Sequence, residues 1–375
     1  MATASEVRHH LVLVGGGHSH VEVLREWVRS PLPGVRLSLV TDGSRAAYSG
    51  MVPGFVAGQY RLDEIEIDVE RLARKAGAAW LDARATRVDA RSRRLYLDGA
   101  PPLDYDTVSF DVGSTVSGLD LPGVLQHGLP TRPIGAFVRR VDALIERARG
   151  RPAFRLIVAG AGAGGVELAF AFHARFGLAG RGPSVALVER GPRILPGYPD
   201  SAVRRIERAA RRRGIEIRCN CAVAGAHADN LTLESGETLA CDAFVWVAGS
   251  AGGSLFGGSA LECDERGYVK VRATLQAVGH DDVFAAGDCA SLITAPRLPK
   301  AGVHAVRQGP VLAHNLNARL TGQALRAYRP QRDFLSLLNL ADGRAVAVKW
   351  GMSAEGAWVW RLKDAIDRGF VRRYR

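Results

Sequence analysis

Cysteine is scarce in this 375-residue chain: five residues, at 219, 221, 241, 263 and 289, with no Cys-x-x-Cys pair. An odd, scattered set argues against a disulfide framework and for reduced thiols, so a cytoplasmic setting is expected. A membrane-spanning run is also missing. The longest uncharged stretch, 243–261, is too rich in glycine and serine to cross a bilayer. The first apolar run is short and breaks at three glycines, which reads as no signal peptide. The chain is basic, with a formal net charge of +12. It carries no zinc-finger spacing, RNA-binding aromatic signature or recognition-helix pattern, so no nucleic-acid partner is expected. Its densest basic run, 204–214, has helical spacing with Ile206, Ala209 and Ala210 on one side and reads as a solvated helix face.

Glycine is plentiful, at 43 residues, and clusters where backbone must turn sharply or approach something closely. In LVLVGGGHSHVEVL, 11–24, an apolar strand runs into Gly15-Gly16-Gly17 and then a helix. Gly15 and Gly17 suit the turn and phosphate approach of a dinucleotide loop, but His20 stands where the third glycine belongs. His18 and His20 could begin a metal site. No third ligand lies at a recognisable spacing, so no metal is expected, and donors near a phosphate or helix end fit the pair better. Gly15, Gly17, His18, Ser19 and His20 are therefore candidate cofactor contacts. The next strand, 35–40, leads to Asp42, one place later than the usual ribose-binding acid.

A second unit is more regular. RLIVAGAGAGGVELAFAF, 155–172, satisfies G-x-G-x-x-G at Gly160, Gly162 and Gly165, with a strand before and a helix after. The helix N-terminus offers unpaired N–H groups and a positive dipole end to a pyrophosphate. Its second strand, 184–189, ends in Glu189, placed to accept hydrogen bonds from an adenosine ribose. Glutamate repels a 2′-phosphate and favours NADH over NADPH, although Arg190 and Arg193 lie close by.

Two such loops predict two bound dinucleotides, and such a pair usually passes a hydride from a nicotinamide to a flavin. The fold class expected is α/β, with two Rossmann-like dinucleotide-binding domains and a small C-terminal lobe. An FAD domain would comprise 1–120 and 255–330, an NAD(P)H domain 121–254, and the lobe 331–375.

Several further segments carry a resemblance. They are DDVFAAGDCA at 281–290, AYSGMVPGFVAGQY at 47–60, PKAGVHAVRQGPVLAHNL at 299–316 and FLSLLNLADGRAVAV at 334–348. With GGGHSH at 15–20, they resemble the FAD-dependent pyridine nucleotide-disulfide oxidoreductase superfamily, of the type II NADH dehydrogenase kind. The chain is most similar to the branch found fused ahead of selenide, water dikinase, where GGGHSH also replaces the third glycine. The resemblance implies that Asp288, after Gly287, holds the flavin ribityl chain. It implies that Gly113 and Gly249 mark the strand-to-glycine crossovers closing each dinucleotide domain. Ser49, Gly50 and Pro53 lie in a turn-rich loop suited to a flavin ring. Lys300 to Gln308 would open a helix, with Ala301 at its start, whose N–H groups face the reduced flavin. Glu167 would sit where nicotinamide meets flavin, or simply favour the helix dipole.

Glu167, Lys300 and Gln308 are thus the candidate catalytic residues. The acceptor implied is a quinone, with Gln308 retained while Val303 and Arg307 stand where glutamine is expected. A sulfide:quinone-type reductase is a weaker alternative, because no cysteine pair lies near the expected flavin. A flavin-bound partner protein of selenium metabolism with little turnover is another. Finally, SAEGAWVWRLKDAIDRGFVRRYR, 353–375, spaces Trp358, Leu362, Ile366 and Phe370 at i, i+4, with Arg361, Lys363, Arg368, Arg372 and Arg373 on other faces. That pattern fits a basic helix at a membrane surface, on its cytoplasmic face, or one docked on the protein's own core.

Overall fold

The computed structural model describes residues 7–177 and 184–375. In chain order, strands β1 (His9–Val14), β2 (Val35–Thr41), β3 (Ala79–Asp82), β4 (Thr107–Phe110) and β5 (Leu129–Pro130) come first. They are followed by β6 (Arg155–Ala159), β7 (Ser184–Val188), β8 (Glu216–Arg218), β9 (Ala243–Trp246) and β10 (Val283–Ala285). These strands form two parallel sheets, ordered β10-β4-β1-β2-β3 and β5-β9-β6-β7-β8. Parallel strands covered on both faces need continuous apolar runs rather than alternation. Leu11 to Val14 and Leu156 to Ala159 supply them, and all are buried.

In both sheets the strand order reverses about the strand that runs into the glycine loop: β1 lies between β4 and β2, and β6 between β9 and β7. At such a switch point the connections diverge and leave a crevice beyond the strand ends. Helices α1 (His18–Arg29) and α2 (Ala163–Gly177) begin there, directly after the two glycine loops. The chain leaves the first sheet after β4, builds the second, and returns with β10. The two crossings touch: Thr115 and Ala251 exchange backbone hydrogen bonds of 2.9 and 3.1 Å.

Helix α3 (Asp200–Arg213) contains most of the dense basic run and ends in a left-handed Gly214. Its face is less free than sequence spacing implies, since Arg213 pairs with Asp342 and Arg205 donates to Ser353. Helix α4 (Gly302–Thr321) packs along α1. The lobe is an antiparallel sheet, β11 (Ser336–Asn339), β12 (Ala345–Lys349) and β13 (Met352–Gly356), followed by helix α5 (Ala357–Arg372).

Of the two places left open for the i, i+4 stripe of α5, docking on the core does not hold for most of it. Trp358, Leu362 and Ile366 are 57%, 38% and 46% exposed, and of that set only Phe370 is buried. The docked face instead contains Val359, Lys363, Asp367, Phe370 and Val371. Lys363, off the apolar stripe as its spacing requires, is inside, because Asp367 one turn on and the Gly50 carbonyl satisfy its ammonium. No helix among the described residues is long and apolar enough to cross a membrane.

Candidate active site

The second glycine loop has the geometry that its sequence requires. Gly160 has φ +110°, and a Cβ there would lie 2.9 Å from the Val247 backbone. A Cβ on Gly165 would lie 1.8 Å from the Gly160 carbonyl oxygen, so only glycine lets α2 approach β6 this closely. Gly162 differs, because a Cβ there would meet nothing within 4 Å. Protein packing does not demand glycine at 162; the residue keeps the face of the loop open, as a cradle for a pyrophosphate requires. Glu189 reaches this loop, accepting from the Ala161 and Gly191 N–H groups at 2.8 and 2.9 Å. Arg193 is tied to Asp200 and to the Tyr198 carbonyl, while Arg190, next to Glu189, is exposed.

The first loop is built differently. Gly15 has φ +94°, and a Cβ on it would strike the Asp111 carbonyl at 2.3 Å. Of the two places expected for His20, near a phosphate or at a helix end, the structure has the helix end: it is fully buried in the first turn of α1 and both ring nitrogens are taken. Burial pushes its pKa down to about 4, so the ring is neutral. The Gly15 carbonyl can only accept, so Nδ1–H donates to it at 2.7 Å, and Nε2 accepts from the Ser109 hydroxyl at 2.8 Å. Where Gly165 brings its helix onto the loop carbonyl, the imidazole of His20 fills the gap and bonds the equivalent carbonyl. The third glycine is replaced by a wedge.

His18 points elsewhere. Its Nε2 lies 3.3 Å from the Ser49 hydroxyl, and its ring packs against Tyr48 and Phe370. Among the described residues there is no cluster of three or more His, Cys, Asp or Glu side chains arranged to hold a metal. Ser19 donates its hydroxyl to the Ala305 carbonyl, joining α1 to α4. Asp42 is exposed beyond β2, outside the paired part of the loop.

Asp288 is placed by the Gly287 turn at the end of β10 and forms an ion pair with Arg132 at 2.8 Å. Arg132 follows β5 of the second sheet, so this pair spans the two halves. Gln308, expected to meet an acceptor, is 3% exposed and its Oε1 accepts from the Gly287 N–H at 2.6 Å. It props the turn from α4. Lys300 donates to the Ala290 carbonyl, with its ammonium 3.9 Å from the centre of the Tyr268 ring. Burial lowers its pKa. Neither side chain is free at the place the sequence reading assigned to it. Ala301 caps α4 in extended conformation, and its first turn abuts Ser49 and His18 at Gly302. Gly113 and Gly249, in left-handed conformation, start the two crossings.

Glu167 joins the halves from below. Its Oε1 accepts from the Asn339 N–H at 2.9 Å. Burial raises its pKa to about 7, while the nearby Lys363 ammonium pulls the other way. Lys363 Nζ donates to the Gly50 carbonyl and to Asp367, each at 2.9 Å. Burial, and in turn the charge of Asp367, raises the pKa of the Tyr48 hydroxyl. A buried set of charges therefore links the helix after the second loop to the Ser49–Gly50 turn beside the first. Pro53, buried, starts the short helix Val52–Val56 that fixes that turn.

The sequence reading did not single out Lys363 as buried, nor Asp367, Arg132 or Asp111. A Lys-x-x-x-Asp pair inside an amphipathic helix, and an acid ending an apolar strand, were the available signals.

The thiols offer no redox pair. All five cysteines are free. Cys289, beside Asp288, is fully buried, and burial pushes its pKa up to about 12; its Sγ–H donates to the Ala286 carbonyl. Burial also raises Cys219, Cys241 and Cys263. None of these four is held as the thiolate that disulfide exchange needs.

Two parallel sheets, each with a glycine loop at its switch point and a carboxylate at its crevice, define an α/β protein that binds two dinucleotides. The chain belongs to the pyridine nucleotide-disulphide oxidoreductase family, whose pattern matches residues 9–309. It is 25% identical to the demethylphylloquinone reductase NdbB of Synechocystis, over 89% of this chain and 85% of that one. It is 24% identical to a type II NADH:quinone oxidoreductase of Staphylococcus saprophyticus, over 83% and 82%. The solved structure of NDH2 from Plasmodium falciparum in complex with NADH superimposes with a TM-score of 0.81, covering 98% of this chain and 97% of that one. At 12% identity this is a likeness of fold.

Proposed function

We propose that this chain is an FAD-dependent NADH dehydrogenase that delivers electrons to a quinone. The observation that carries the reading is the bridge at Lys363. Its ammonium binds the Gly50 carbonyl beside the first loop, and its charge favours the carboxylate of Glu167 beside the second. Two dinucleotides lying on the two loops would bring their reactive rings to this bridge.

In this reading residues 1–120 and 255–330 hold FAD, 121–254 hold NADH, and 331–375 close the acceptor side. Gly15 and Gly17 with the N-terminus of α1 receive one pyrophosphate, and Gly160, Gly162 and Gly165 with α2 the other. Asp42 and Glu189 take the riboses, and Asp288 leaves Arg132 for the ribityl chain. Ser49, Gly50 and Pro53 support the flavin ring, towards which the N-terminus of α4 at Ala301 turns its N–H groups. When bound, FAD supplies a ring that accepts a hydride and gives electrons up singly or in pairs. The chain's own part is to align the rings and exclude water, with Glu167 able to hold or release a proton near neutral pH. The two relatives described above act on quinones, and the raised thiols disfavour a sulfur-carrying reductase.

The quinone is reached at a membrane surface, on the cytoplasmic side. Trp358, Leu362 and Ile366 form an exposed apolar stripe on α5, with Arg361, Arg372 and Arg373 also exposed. Apolar area with flanking cations is what seats a helix in the interface of an anionic bilayer. Replacing Trp358, Leu362 and Ile366 together with serine should cut NADH oxidation by menaquinone in phosphatidylglycerol vesicles at least tenfold. Oxidation by a water-soluble quinone analogue should be unchanged. Equal rates in both assays would remove the membrane seat, and reoxidation by disulfide or oxygen faster than by either quinone would remove quinone as acceptor.

A further inference from the structure

Asp111 places a carboxylate inside an anion-binding loop. It directly follows β4, is 3% exposed, and accepts from the backbone N–H groups of Ser19 at 2.7 Å and His20 at 3.2 Å. Those are amides of the first turn of α1, the positive end that a pyrophosphate would occupy. The carboxylate is wedged in from both sides. A Cβ on Gly17 would lie 2.3 Å from its carboxyl carbon, and a Cβ on Gly287 2.4 Å from its Oδ1. Gly17 and Gly287 therefore make room for Asp111 as well as for a ligand.

No lysine or arginine pairs with Asp111 among the described residues. On α1, the His18 and His20 rings are both neutral, with burial pushing each pKa down to about 4. The Gly287 turn contributes Asp288, of the same sign and paired with Arg132, and the protonated thiol of Cys289. Helix α4 contributes Gln308, engaged with the Gly287 N–H, while Lys300 is held over Tyr268. Two backbone amides and the end of α1 are what favour its negative charge. Burial and Asp288 oppose it, and burial raises its pKa to about 7.

A pyrophosphate diester stays charged at every pH where the protein is folded, so two anions would have to share one helix end. Like charges in one buried site do not both persist, and the weaker acid takes a proton. We propose that Asp111 is a cofactor-positioning residue that binds FAD only as the neutral acid. Its carboxyl then donates a hydrogen bond instead of competing for the Ser19 and His20 amides, and each FAD bound takes up one proton from solvent. This rests on the assignment of the first loop to FAD.

The linkage has a definite sign. Binding raises the pKa of Asp111, so FAD affinity is highest below about pH 7 and falls above it, by about tenfold per pH unit. FAD affinity of the full-length chain, followed by flavin fluorescence from about pH 6 to about pH 9, should show that slope. Asp111→Asn should be flat, whereas Glu167→Gln, which removes another carboxyl whose pKa burial raises to about 7, should retain the slope. Calorimetry on the unaltered chain, in two buffers of different ionisation heat, should give an uptake of about one proton per FAD at about pH 8. A slope that survives Asp111→Asn, or no proton uptake by the unaltered chain, would overturn the proposal. FAD bound without pH dependence would leave the dehydrogenase reading standing, whereas a chain that binds no FAD at any pH would end that reading itself.

Discussion

Gly165→Ala should keep its FAD and lose about 100-fold in kcat/KM for NADH. The added Cβ would lie 1.8 Å from the Gly160 carbonyl oxygen, which is backbone and cannot rotate aside. Helix α2 must therefore move off β6, and the N–H groups at its start lose their aim. A displacement of about 1 Å at a positioning element costs on the order of a hundredfold in rate. The first loop belongs to the other sheet and has no such contact, so flavin content should hold. Gly162→Ala separates ligand contact from folding, because a Cβ there meets no protein atom within 4 Å. It should leave thermal stability unchanged and still weaken NADH binding, as the new methyl enters the space reserved for the pyrophosphate. Stopped-flow reduction and a melting curve on both variants check this. A Gly162→Ala chain with undiminished NADH affinity would contradict the assignment of the loop.

Glu167 and Lys363 give the second large effect. Burial holds the Glu167 carboxyl near pH 7, and Lys363 restrains that rise. The rate of flavin turnover should therefore change through a midpoint near pH 7 and become flat in this range in Glu167→Gln. Lys363→Met removes the charge that favours the carboxylate, so the midpoint should move up, by about one pH unit or more. Lys363→Arg, which retains the charge, should bring it back toward the original value. Stability follows the same sign. A carboxyl with a raised folded-state pKa loses stabilisation as pH climbs from the unfolded value near 4.5 to about 7, and Glu167→Gln should remove that part of the decline. A midpoint unmoved by Lys363→Met would show that the two groups do not interact.

Both dinucleotide loops were legible because they depend on local backbone chemistry: apolar parallel strands, glycines at turns and helices that follow at once. That the chain returns to the first sheet at β10 was suggested by the resemblance of the Gly287-Asp288 segment to a flavin motif. What escaped were residues whose roles arise from distant partners. His20 reads as a damaged glycine motif until Ser109, 89 residues away, is seen to hold its other nitrogen. Gln308 reads as a free polar group until the Gly287 N–H occupies it. Periodicity placed α5 correctly as an amphipathic helix but could not show which face docks, because a lysine and an aspartate that satisfy each other can be buried where single charges cannot. Asp111 was hidden by its company, an acid at the end of a strand that otherwise reads as apolar.

The reading of these two loops stands or falls on whether one chain passes a hydride between them. The direct test is anaerobic addition of one equivalent of NADH to the purified flavin-loaded protein, with the visible flavin absorbance followed in time. Rapid bleaching of the bound flavin, slowed in Gly165→Ala and reversed by added quinone, is the expected result. A flavin that stays oxidised in the presence of NADH would contradict it.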